Sequence, residues 1–377
     1  MRFAYDEDQA EFLRAVRSFF EKRVSLTELP QRVEIDAGLD SATWDAMADQ
    51  LGLQGLIVPE RHGGGGHGPI ELGLVLEEAG RALLPGPLFA TVALGATALV
   101  LSDDEDAQAE HLPGIATGKR TATLALTEPG DDGASYAVAT AGRRSGDGYA
   151  VTGEKTCVYH GDQADVIVVV ASDDHGPALF VVDGDAPGLG RERLATLDPT
   201  RPQARLTFDA TPARRIGGRD LLEVVLLRAG AALAAEQVGG AQGCLDLATA
   251  YAKEREQFGR LIGSFQAIKH RCADMLVQTE AARTAAWYAA WACAEAPEEV
   301  ATAVPIARHA ASEAYTFASR HCIQVLGGIG FTWEHPAHLH LKRALSSGQF
   351  LGTPEVQLAR LADAAFDTMP VALVGVA

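Results

Sequence analysis

Near its start the chain places Phe12, Val16, Phe19 and Phe20 at helical spacing, behind the acidic cluster Asp6, Glu7 and Asp8. Negative charge is favoured at the N-terminal end of a helix dipole, so the segment predicts an amphipathic helix. Comparable periodicity runs through TWDAMADQLGL and IELGLVLEEAGRALL to about residue 115, broken by the turn-rich VPERHGGGGHG. The run Gly63 to Gly66 lacks the Lys-Ser/Thr that would complete a phosphate loop, which leaves a flexible turn as the better reading. From about Thr121 short β-rich stretches take over (TATLAL, YAVTG, DVIVVVAS, ALFVVD, ARLTFD), separated by Gly, Asp and Pro as in an antiparallel sheet or barrel. After Leu221 long Ala- and Leu-rich helical patterns return, interrupted at EAPEEV and QVLGGIGF.

Three regions follow: helices over 1–115, strands over 116–220 and a helical bundle over 221–377. Segregated helices and strands predict an α+β protein instead of alternating βαβ units. No GxGxxG follows a strand, which removes the usual dinucleotide fold, and the chain shows no internal repeat.

The totals narrow the class. With 377 residues, 22% of them charged, and no apolar run near the roughly 20 residues of a bilayer span, the chain reads as a soluble protein of two or three packed regions. Its first residues lack the apolar centre of a secretory signal, so cytoplasm is expected. Five scattered cysteines without a CxxC pair fit reduced thiols. A net charge of −18 opposes binding to nucleic acid, although a local basic pocket could still hold a small anion.

Several residues carry candidate chemistry. Arg255 and Gln257 sit beside Gly259; a guanidinium fork suits a diphosphate, while a solvated face paired with Glu254 and Glu256 is the alternative. Phe265 reads as core by composition. Gly327 and Gly328 after Gln324 would let backbone approach a ligand, or would simply cap a helix. The imidazoles His335, His338 and His340 are dense, but Pro336 breaks helical ligand spacing and no metal is expected. Cys157 has no basic activator nearby in sequence and reads as an inert thiol.

Four stretches, LALTEPG (124–130), VTGEKTCVYHG (151–161), YAKEREQFGRLIGSFQAIKH (251–270) and QVLGGIGF (324–331), together with LGLQGLIVPERHGG and the terminal LGTPEVQ, resemble the acyl-CoA dehydrogenase family along essentially the whole chain. The resemblance implies an N-terminal helical domain, a middle antiparallel β-barrel domain and a C-terminal four-helix bundle, with FAD between sheet, bundle and a neighbouring subunit. By the same resemblance Leu126 and Thr127 contact the isoalloxazine edge, and Cys157, Val158 and Tyr159 occupy the second flavin strand, with Cys157 where a tryptophan usually stands. Arg255 and Gln257 would reach the FAD diphosphate of a partner subunit and Phe265 and Gln266 its adenosine end. Gln324, Gly327, Gly328, Thr353 and Glu355 complete the implied cofactor set. Where the family usually reads Ala-Gly-Ser-Asp this chain reads DDGAS, which puts the serine contact to CoA in doubt.

Desaturating a thioester needs a carboxylate to take the α-proton while the flavin accepts the β-hydride. The resemblance places that glutamate just before Gly352-Thr353, at Leu351, and a leucine has no lone pair to offer. Ungapped counting to the family's other base position reaches Ala229, beside Arg228, with no carboxylate between Glu223 and Glu236. Glu236, a weak candidate, lies two turns away, roughly 10 Å along a helix. The resemblance is closest to subunits of actinobacterial α2β2 acyl-CoA dehydrogenases, in which a related chain supplies the glutamate. It implies α,β-desaturation of an acyl-CoA, bulky steroid thioesters included, with electron-transfer flavoprotein as acceptor. A self-sufficient homotetramer with a displaced base, and a non-redox acyl-CoA-binding scaffold, are the alternatives.

Overall fold

The computed structural model describes residues 6–36, 39–131 and 138–368. Six α-helices come first: α1 (Glu7–Arg23), α2 (Leu29–Asp36), α3 (Ser41–Leu51), α4 (Pro69–Arg81), α5 (Thr97–Leu101), preceded by a π-helical stretch over Phe89–Ala96, and α6 (Glu105–Ala116). Helix α1 begins with a capping box: Asp6 accepts from the Gln9 amide at 2.7 Å, and the Gln9 side chain accepts from the Asp6 amide at 3.3 Å. Its apolar stripe buries Val16, Phe19 and Phe20.

The glycine-rich turn after α3 is tied down. The amides of Gly63, Gly64, Gly65, Gly66 and His67 donate in order to the carbonyls of Glu60, Pro59, Gly55, Val58 and Leu56. Those donors are spent inside the turn, so it is neither a phosphate cradle nor the flexible turn read from composition.

Seven strands follow: β1 (Ala122–Ala125), β2 (Ala141–Ser145), β3 (Gly148–Tyr159), β4 (Val166–Asp173), β5 (Gly176–Asp183), β6 (Leu189–Leu194) and β7 (Gln203–Gly217). Strands β4, β2, β3, β7 and β5 pair in that order and β5 pairs again with β4, which closes a barrel; β1 is added beside β4 and β6 beside β7. Most pairs are antiparallel, as expected. Strand β1 instead runs parallel to β4, from Ala122 opposite Val166 to Ala125 opposite Val169. Strand β4 is buried on both faces over Val166–Ala171, which explains its unbroken apolar run.

The third region holds the long helix α7 (Arg219–Glu254), a small hairpin of β8 (Glu256–Gln257) and β9 (Arg260–Leu261), then α8 (Gln266–Glu295), α9 (Val300–Leu326), α10 (Ala337–Gln349) and α11 (Pro354–Thr368). No helix among the described residues is long and apolar enough to cross a membrane.

Helices α4 and α7 touch backbone to backbone. A Cβ at Gly239 would stand 1.8 Å from the Glu77 carbonyl oxygen, and one at Gly80 would stand 1.9 Å from that of Glu236. A carbonyl inside a helix cannot swing aside, so the helices would have to part. Gly239→Ala is expected to cost about 1–3 kcal/mol, read as a lower urea midpoint; an unchanged midpoint would contradict this packing.

Candidate active site

A cavity of about 480 Å3 opens where the barrel meets α10 and the α10–α11 loop. The end of β1 supplies Leu126 and Thr127, β3 supplies Cys157 and Tyr159, and the loop supplies Phe350, Leu351 and Gly352. An irregularity in the β3–β7 ladder between Lys155 and Val158 aims the β3 side chains. Cys157 takes a left-handed φ of 54° and turns outward. Val158, expected among the cofactor contacts, does not line the cavity; it points into the barrel core beside Ile167 and Leu206. Tyr159 returns to the cavity side.

Tyr159 is deeply packed. Its ring lies 4.4 Å from that of Phe350 and 6.3 Å from that of Phe89, and the Arg201 guanidinium sits 5.1 Å from its centre. An aromatic ring thus stands two residues beyond Cys157, tilted at 43° to that of Phe350 in the loop that carries Leu351.

A buried ion pair underlies Leu126 and Thr127. The Lys155 ammonium, fully enclosed, donates to the Leu126 carbonyl at 3.0 Å and to Glu128 Oε1 at 2.7 Å. Glu128 also accepts from the amides of Ala139 and Thr140, at 2.8 and 2.9 Å. Burial alone would raise the Glu128 carboxyl, but the hydrogen bonds from Lys155, Thr140 and Ala139 outweigh it and hold it down at about 2. The DDGAS segment lies, after Asp131, outside the described residues.

Leu351 is buried and borders two cavities, the one above and a second of about 200 Å3 between α7, α9 and α11. Its φ is 62°, left-handed and costly for a leucine, and Gly352 follows at 99°. The loop is clamped from several sides. Arg308 donates to the carbonyls of Phe350 at 2.8 Å and Ser347 at 3.3 Å, while Gln357 and Arg360 donate to that of Leu351 at 2.8 and 3.2 Å. An apolar side chain is thus held firmly where the resemblance calls for a proton acceptor.

Other carboxylates are placed differently. Glu236 borders neither cavity: it is buried against Arg201, with Arg343 Nη1 at 3.6 Å, and Arg343 binds Asp198 at 2.6 Å. Glu236 is thus the counter-ion of two guanidinium groups instead of a base aimed at substrate. Glu223 borders the smaller cavity and Asp131 the larger one. Ala229 lies in the core. Neither Thr353 nor Glu355 lines the large cavity; the Thr353 hydroxyl accepts from the Val356 amide at 3.4 Å and starts α11.

The remaining expected cofactor residues gather elsewhere. Arg255, Gln257 and Gln266 are exposed on the β8–β9 hairpin and at the start of α8; Gln324, Gly327 and Gly328 are exposed at the end of α9. A shared core cluster holding Ile262, Val325 and Leu326, with Phe265 against it, keeps the two groups together. A Cβ at Gly327 or Gly328 would meet nothing within 4 Å, so these glycines leave open surface, and Gly327 with φ 67° also ends the helix. Phe258, unremarked in the sequence, is 92% exposed at the hairpin tip. The imidazoles of HPAHLH diverge: His340 is buried against the Tyr315 hydroxyl at 2.9 Å, and His338 packs on Trp333.

Profiles of three domains match in order: the acyl-CoA dehydrogenase N-terminal domain over residues 6–119, the middle domain over 123–211 and the C-terminal domain over 217–366. The chain belongs to the acyl-CoA dehydrogenase family. It is 36% identical to acyl-CoA dehydrogenase IpdE2 of Mycobacterium tuberculosis over 94% of this chain and 96% of that protein. Among solved structures it superposes on the Tcur3481–Tcur3483 steroid ACAD with a TM-score of 0.88 at 34% identity, covering 96% and 98% of the two chains. The ChsE4–ChsE5 complex of Mycobacterium tuberculosis gives 0.91 at 29%, covering 98% and 100%. The three-domain architecture, the oxidoreductase class and FAD as the cofactor follow from membership in the acyl-CoA dehydrogenase family.

The residues fit such a cofactor: hydroxyl and backbone groups border an open cleft, and cationic, amide and glycine positions stand open on the surface.

Two outcomes are expected from this geometry. Glu236→Gln should destabilise the fold by roughly 3–5 kcal/mol, because it strips the buried Arg201 of its counter-ion and leaves Arg343 with Asp198 alone; a variant as stable as the parent in urea would contradict the assignment. The depressed Glu128 carboxyl contributes stability that is complete above its ordinary value near 4.5 and is lost as pH falls from there towards about 2. Lys155→Met should accordingly unfold at higher pH in an acid titration followed by circular dichroism.

Proposed function

We propose that this chain is the base-lacking subunit of a heteromeric, FAD-dependent acyl-CoA dehydrogenase that desaturates a CoA thioester between its α and β carbons. The observation that carries the reading is Leu351, a buried leucine in a segment held by five side-chain-to-carbonyl hydrogen bonds, two of them to its own carbonyl, at the position where the resemblance calls for a carboxylate. Relatives described as a two-component steroid ACAD and as the ChsE4–ChsE5 complex support a mixed assembly and a bulky thioester.

In this reading Arg255, Gln257, Phe265, Gln266, Gln324, Gly327 and Gly328 face a neighbouring subunit, where guanidinium and amide groups bind the cofactor's diphosphate and adenosine parts. Leu126, Thr127, Cys157 and Tyr159 shape this chain's own cavity and exclude water from it. FAD, when bound, supplies the hydride acceptor. The related chain supplies the carboxylate, an electron-transfer flavoprotein takes the electrons, and the assembly works in the cytoplasm.

A self-sufficient homotetramer is the second reading. It now rests on Glu223, which borders the same small cavity as Leu351, and no longer on Glu236.

The purified chain alone should show no thioester dehydrogenation, whereas the chain co-purified with the related products of adjacent genes should show a flavin spectrum and turnover. Robust turnover by the single chain that Glu223→Gln abolishes would replace the first reading by the second.

A further inference from the structure

The β8–β9 hairpin is built to present charge. Gln257 stands directly opposite Arg260 in its ladder and Glu256 opposite Leu261. Cross-strand partners project to the same face and successive residues to opposite faces. Arg255, with extended backbone at φ −76° and ψ 127°, shares the face of Gln257. Alternation therefore places Arg255, Gln257 and Arg260 on one side and sends Glu256 to the other.

Neither Arg255 nor Arg260 forms an ion pair among the described residues, so the salt-bridged face considered from the sequence is absent here. Within 253–271 the chain carries five Lys or Arg against two Glu, although the whole protein has a net charge of −18. A local concentration of unneutralised cations in an acidic protein is a site for a small anion.

Arg260 is also held in place. Its guanidinium lies 4.0 Å from the centre of the Phe265 ring, and Phe258 meets the same ring edge-on at 6.1 Å. Stacking uses the flat face of a guanidinium and leaves its in-plane N–H groups free to bind oxygen, with part of the ordering cost already met. The turn is a two-residue Phe258-Gly259 connection with φ of 54° and 76°. Both central residues of such a turn need positive φ, where Asn-Gly or Asp-Gly is usual, and a phenylalanine there is costly. That cost keeps an exposed aromatic ring beside the cationic face.

We propose that Arg260, seated on Phe265, is a third anion-binding group of the hairpin beside Arg255 and Gln257, and contacts the diphosphate of FAD held with a neighbouring subunit. This rests on the reading that the hairpin faces that cofactor. It adds a residue to the cofactor set and gives Phe265 a second task, as the platform that orients Arg260.

The test uses the full chain co-purified with its related subunit, stripped of flavin and titrated with FAD by quenching of flavin fluorescence at low and high salt. Arg260→Gln should weaken FAD binding about tenfold, the scale of one lost charge-assisted contact, and flatten its salt dependence. Arg260→Lys should recover only part of the affinity, since an ammonium offers no planar fork. Phe265→Leu should weaken binding although every charge remains. Melting temperatures of the Arg260 variants should hold, because Arg260 is exposed. Arg260→Gln binding FAD like the parent while Arg255→Gln does not would overturn the role of Arg260 and leave the facing intact. Both variants binding like the parent would overturn the facing as well, as would a parent complex that takes up no FAD. Loss of coenzyme A binding with FAD binding unchanged would assign Arg260 to the other diphosphate and sink the proposal.

Discussion

Asp198 and Arg201 lie three residues apart on the segment joining β6 to β7, and they reach different helices: Asp198 binds Arg343 on α10 and Arg201 binds Glu236 on α7. The same segment contributes Thr196 and Leu197 to the large cavity. Four buried charges of balanced sign thus fasten the barrel to the bundle, and the cavity is the space left between them. Such pairs add little over a well-packed apolar core, but each is costly to break on one side only, which makes them a device for fixing geometry. Removing any member would loosen two walls of the cavity together.

The same logic runs through the loop of Leu351. Arg308 is buried, with Nη2 donating to the carbonyls of Ser347 and Phe350 and Nη1 to Gln237 on α7, so the loop's path is set by a helix across the bundle and not by the residue at its tip. A backbone held this way keeps its shape whichever side chain it carries. In the proposed reading the loop therefore keeps the frame of a catalytic position while a buried leucine occupies its tip.

Much of this was legible in the chain. Helical periodicity marks α1 and α3, which bury one stripe, whereas α7 is enclosed on all sides over residues 229–241 and shows as an unbroken run rich in Ala and Gly. The barrel's strands show as short apolar runs, and the LALTEPG, EREQFGR and QVLGGIG stretches lead to surfaces that the structure gathers at a cavity and on an exposed patch. What was not legible depends on distance along the chain. Nothing near Glu236 announces Arg201 or Arg343, and nothing near Lys155 announces Glu128, since charge partners in a core are chosen by folding. Strand β1 runs parallel to β4, an order of pairing that periodicity does not carry. Val158 turns into the barrel core while Tyr159 lines the cavity, a distinction that ladder irregularity and alternation decide. The exposure of Phe258 was hidden for a similar reason: an aromatic residue in a sequence reads as core until the turn beneath it is known.

The hairpin tip with Phe258 and the nearby Phe331, 92% and 79% exposed, leave a greasy surface that water does not tolerate well in a lone polypeptide. A molecule made in excess over whatever shields that surface would be drawn into clumping or cleared by proteases. Its soluble yield therefore depends on how well these two rings are covered.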